Sequence, residues 1–144
     1  MTCNTMSIRH TILLAAAMLA TSAHADTIGL HIASWHSQPG MNNVNPGQYY
    51  RTDAGWTAGG YCNSESRSER FPDAQQCKVA AYAGRSFEVG PLTLTAGVIT
   101  GYTRGTIPMI LPSLKLGHLR IGFVPKIDPK AGSHVVHAMW ETEL

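Results

Sequence analysis

Past its first 25 residues the chain has no apolar run long enough to cross a membrane as a helix, which takes about 20 such residues. Helical periodicity is also missing there, since apolar residues do not recur at three- and four-residue spacing. Neither sign of charge is in large excess. The formal net charge is +2, and lysines and arginines are scattered rather than clustered, which excludes a basic nucleic-acid footprint. Cysteine is scarce, with three in 144 residues. His134 and His137 stand three apart in an extended stretch and so face opposite sides, a poor arrangement for a shared metal. No metal and no cofactor are expected, and no nucleic-acid partner.

What the chain does have begins with an export signal. Arg9 and His10 form a basic start, residues 11–20 an apolar core, and Ala23-His24-Ala25 a small-x-small cleavage site. Residues 1–25 are therefore read as a signal peptide and 26–144 as one domain. Cleavage removes Arg9 and Cys3, so the charge of +2 falls by one to +1 and Cys62 and Cys77 remain. Two exported cysteines normally bond to each other, with two buried free thiols as the alternative. The bond would close residues 63–76 into a stiffened loop.

Residues 91–125 are the most informative stretch. Leu92, Leu94, Ala96 and Val98 alternate with Thr93, Thr95 and Gly97, and later Leu119, Ile121 and Phe123 alternate with Arg120 and Gly122. A period of two places one strand face in an apolar medium and lines the other with small or polar groups. Between these runs lies IPMILP, with Pro108 and Pro112 four apart. Proline cannot donate to a ladder, so a break in pairing is expected there, a plain edge or bulge being the alternative.

Strand signals recur along the domain at residues 27–35, 48–53, 56–63, 77–89, 92–102, 109–116, 119–127 and 134–144. The fold class is all-β, a small up-and-down antiparallel barrel of about eight strands. Tight turns at Ala54-Gly55, Gly90-Pro91 and Gly117-His118 alternate with longer loops at 36–47, 64–76 and 103–106, and 128–133 is a last turn. Outer-membrane barrels place short turns on the periplasmic side and long loops outside. Trp35, Trp56, Tyr49, Tyr50 and Tyr102 lie near strand ends, where aromatic girdles form. The cell outer membrane is the expected location, with a periplasmic or secreted barrel as the alternative.

At the long-loop rim His36 ends the first strand and Asn63-Ser64 follows the third. A serine and a histidine brought together there can act as nucleophile and general base, with Asn63 orienting the imidazole. Solvated or turn-forming side chains are the alternative reading. His31 falls on the side of Gly29 and Ala33 and is read as a satisfied interior histidine.

The segments LTAGVITGY, IPMILPSLKLG and FVPKI resemble the C-terminal half of the lipid A palmitoyltransferase (PagP) family. In that family an alternating T-A-G-V strand leads to a P-x-x-x-P strand, and a rim histidine follows an I-T-W run, matched here by the stretch from Ile32 to His36. The resemblance implies an outer-membrane acyltransferase that moves an acyl chain from phospholipid to lipid A, with His36 and Ser64 as the catalytic pair. Asn63 takes a third position that an acid holds in the family, and the family's N-terminal amphipathic helix has no counterpart. The resemblance also makes Pro108 and Pro112 a lateral lipid gate, with Gly29, Ala33 and Gly97 leaving room inside for hydrocarbon. Membrane phospholipid and lipid A are the implied partners, and the barrel is read as a monomer. A non-enzymatic barrel that binds lipid or serves the envelope structurally is the alternative function.

Overall fold

The computed structural model describes residues 25–126 and 133–144. The expected export signal, except Ala25, and most of the turn at 128–133 lie outside the described residues. Eight strands follow one another: β1 (Thr27–His36), β2 (Val44–Arg51), β3 (Trp56–Cys62), β4 (Val79–Val89), β5 (Leu92–Tyr102), β6 (Gly105–Leu116), β7 (Leu119–Val124) and β8 (Val135–Glu143). Each pairs antiparallel with the next, and β1 pairs with β8 from Thr27↔Glu143 to His36↔Val135, so the sheet closes into a barrel. Asp26 and Leu144 meet at the short-turn rim, where the Leu144 N–H donates to the Asp26 carbonyl.

The two-residue turns rest on glycine. Gly90 and Gly117 have φ of 58° and 64°, a conformation that costs a side chain dearly and that tight hairpins require. At the opposite rim, the mouth, residues 37–43 and 63–78 form loops. The third mouth loop expected from sequence, 103–106, shrinks to Thr103-Arg104, because β6 starts at Gly105. β2 likewise starts early and takes in Asn45-Pro46-Gly47, which reads as a turn. The register shift of β1 between His31 and Ala33 lies opposite Pro46, so the ladder makes no demand for its missing N–H.

The barrel is inside out relative to a water-soluble protein. Ile28, Leu30, Ile32, Val98, Ile110 and Leu114 are among the exposed apolar side chains of the outer wall. Thr27, His31, Arg51, Thr93, Arg120 and Glu141 are buried within. Aromatic side chains collect at both rims of the outer wall, Trp35 and Phe123 toward the mouth and Tyr50, Trp56, Phe87 and Trp140 toward the short turns. Tyr49 and Tyr102 leave the expected girdle and point inward, where they join the interior cluster.

Three levels fill the interior. Near the short turns Glu141, only 1% exposed, accepts from Arg51 at 2.9 Å, meets Arg120 at 2.6 Å and accepts from the Tyr49 hydroxyl. Glu88 bridges the same arginines at 3.2 and 3.1 Å, so two cations and two anions balance. At mid-height His31 contacts His137 at 2.7 Å through ring nitrogens and Tyr82 at 3.0 Å, with the rings of Tyr49 and Tyr61 beside it. His31 is therefore a paired interior side chain.

The third level is apolar. Ile107, Met109 and Leu111 of β6 face inward, half-buried, and pack against Tyr82, Ile99 and Met139. The space expected at Gly29 is not vacant: a Cβ there would run into the Tyr49 ring. Gly97 lies against the backbone of Ala83 and Gly84, so it serves close strand approach instead of a cavity.

Candidate functional site at the barrel mouth

His36 ends β1 and is 8% exposed, because the inward alternation of Ser34 and His36 carries its ring into the mouth. Its Nδ1 lies 2.7 Å from Asn43 Oδ1. An amide oxygen can only accept, so in the neutral ring Nδ1 carries the proton and Nε2 keeps its lone pair. This is the state of an oriented general base. The residue that orients His36 is thus Asn43, not Asn63.

Asn63 is fully buried and spent on structure. Its amide N–H donates to the Gly101 carbonyl at 2.9 Å and its Oδ1 accepts from the Glu65 N–H at 2.9 Å. It caps the third strand and cannot turn toward the imidazole without losing both bonds. Ser64 is also buried at the mouth, where the Tyr102 hydroxyl meets that of Tyr61 at 2.9 Å. Among the described residues His36 and Ser64 make no hydrogen bond to each other. They are joined through neighbouring residues of one loop, since Asn43 holds His36 while the Asn42 N–H donates to the Ser64 carbonyl at 3.1 Å.

The loop is built by the run Asn42-Asn43-Val44-Asn45. Asn42 folds its side chain onto Val44, and Asn45, 1% exposed, donates to the Cys62 carbonyl and accepts from the Ser34 hydroxyl. Three asparagines in four residues carry no motif, but Asn42 and Asn45 supply side-chain-to-backbone bonds that fix an irregular loop, and Asn43 holds the His36 ring.

Cys62 and Cys77 are bonded, closing the long loop at its base. Above the bond Glu65 accepts from Lys78, from the Thr103 N–H at 2.9 Å and from the Thr103 hydroxyl at 2.8 Å. Partial burial pushes the Glu65 carboxyl up, but the Lys78 and Thr103 bonds win and hold it below the usual range.

Comparison with known protein families and with curated proteins finds no match. The likeness to lipid A palmitoyltransferase therefore rests on this chain's own residues.

Pro108 and Pro112 lie on β6, both facing outward. β6 pairs with β7 only from Ser113↔Gly122 to Leu116↔Leu119, so the ladder on that side stops one residue after Pro112. From Gly105 to Pro112 the edge of β6 has no β7 partner among the described residues, while its other edge stays paired with β5. This seam borders the apolar inner wall of Ile107, Met109 and Leu111. Among the described residues no group of three or more His, Cys, Asp or Glu side chains is placed to hold a metal.

Proposed function

We propose that this protein is an outer-membrane barrel that transfers an acyl chain from a phospholipid to lipid A at its mouth. One observation carries the reading: the seam beside Pro108 and Pro112 borders the apolar part of an otherwise polar interior. An acyl chain slipping sideways between β6 and β7 exchanges bilayer hydrocarbon for Ile107, Met109 and Leu111, with no polar wall to cross. The apolar outer wall with aromatic side chains toward both rims supports placement in a bilayer.

In this reading His36 Nε2 takes the proton of the attacking lipid A hydroxyl as its oxygen bonds to the ester carbonyl carbon. The proton then passes to the departing lysophospholipid oxygen as the ester bond breaks, which returns His36 to its neutral form. Ser64, buried at the same mouth, supplies a hydroxyl donor for the developing oxyanion. Ser64 as the attacking nucleophile would need a bond to His36 that a side-chain turn must first form.

The alternative, a barrel that holds lipid without turnover, is favoured by one feature: the group orienting His36 is an uncharged amide, which cannot stabilise an imidazolium by charge. Lipid A mass spectrometry of cells with and without the protein separates the two. Transfer adds one acyl mass, His36→Ala abolishes it, and Ser64→Ala lowers it by about 10²–10³-fold. No mass change with the intact protein, or full activity in both variants, removes the acyltransferase reading.

A further inference from the structure

Arg85 stands apart from the other buried or strand-borne arginines. Arg51 and Arg120 each meet carboxylates inside the barrel, whereas Arg85 faces outward from β4 and has no carboxylate within ion-pair distance among the described residues. Its contacts are two aromatic rings, with the guanidinium carbon 5.6 Å from the centre of Trp56 and 5.7 Å from that of Phe87. Ring faces engage the flat side of a guanidinium and leave its in-plane N–H fork unspent. That fork matches two oxygens of one phosphate.

The surroundings specify which phosphate. Arg85 pairs across the sheet with Trp56, the first residue of β3, and with Ala96, so it sits at the short-turn end of an apolar wall. One same-face step from Trp56 toward the mouth, Ala58 and Gly60 line a groove of about 450 Å³ together with Ile28, Tyr50 and the outward-facing Gln48. A cation without a carboxylate partner at the edge of an apolar wall, beside a groove whose one side-chain amide is that of Gln48, suits a molecule with a phosphate at one end and hydrocarbon at the other.

We propose that Arg85, framed by Trp56 and Phe87, binds the phosphate of a phospholipid in the leaflet at the short-turn rim, with an acyl chain of that lipid lying over Ala58 and Gly60. The inference rests on the membrane placement above but not on acyl transfer, since this site lies on the outer wall at the rim away from His36. It is a resident-lipid site, distinct in position from the seam.

Native mass spectrometry of the protein folded in non-ionic detergent tests it, with phosphatidylglycerol, diacylglycerol of the same chains and inorganic phosphate as probes. The wild type retains one phosphatidylglycerol, and diacylglycerol binds about tenfold more weakly. Arg85→Gln loses about tenfold for phosphatidylglycerol and none for diacylglycerol, while Arg85→Lys keeps part of the difference. Ala58→Phe fills the groove from outside and weakens both lipids. Equal phosphatidylglycerol retention by the wild type and Arg85→Gln overturns the site. Inorganic phosphate binding at Arg85 as tightly as the lipid assigns a free-anion site and overturns the lipid claim. Heat-modifiable gel mobility after mixing with vesicles reads the membrane placement separately: retention in detergent without insertion sinks that placement and leaves the phosphate site standing.

Discussion

Glu141 offers the sharpest test of the interior. It meets Arg51 at 2.9 Å, Arg120 at 2.6 Å and the Tyr49 hydroxyl, and the two arginines are 6% and 3% exposed. At an effective dielectric of about 20, a contact at this distance is worth about 6 kcal/mol before desolvation. Desolvation takes back much of that, and breaking a buried pair from one side costs about 3–5 kcal/mol net. Glu141→Gln keeps the shape and one acceptor, but leaves two arginines facing the single carboxylate of Glu88. It should cost about 3 kcal/mol, in reversible urea unfolding from lipid vesicles followed by tryptophan fluorescence. Adding Arg120→Met restores one cation to one anion and should recover more than about 1 kcal/mol of the loss. A cost below about 1 kcal/mol for Glu141→Gln alone is the value of a solvated surface pair, and would refute a dry, charge-balanced interior.

Two further outcomes concern the mouth. Reducing the Cys62–Cys77 bond, or replacing both cysteines with serine, frees a loop of 15-residue separation and should cost about 3 kcal/mol, with faster tryptic cleavage at Arg67 and Arg70 as the local readout. Glu65 has its carboxyl held below the ordinary value of 4.5, so its contribution is full above that pH and lost as pH falls through the lower, folded value. Cleavage in the loop by the acid-active protease pepsin should therefore rise on acidification below about pH 4.5, and Glu65→Gln should remove that dependence; an acid-insensitive wild-type loop would rule out the Lys78–Glu65–Thr103 tie.

The fold was legible where one face met an apolar medium. Leu92, Leu94 and Val98 outside against Thr93 and Thr95 inside is a pattern that only an extended strand satisfies, and the chain obeys it. Strand ends were less legible, because composition near Pro46 signals a turn while the register of β1 and β3 draws the segment into the sheet. The site was harder still. His36 could be placed at the mouth from its position alone, yet its partner Asn43 arises from how a seven-residue loop folds back, which no local pattern encodes. The pairing of His31 with His137 likewise joins the first and last strands, and alternation says only that each points inward. Gly29 was misread as vacancy for the same reason: the Tyr49 ring that fills it comes from the neighbouring strand.

The seam between β1 and β8 has a temporal meaning. Its two members are the first and last strands described, so the ring can seal only after every strand between them has been made. Until then the early strands carry bare edges and a greasy flank, which makes this small protein a client for any chaperone that shields open sheets.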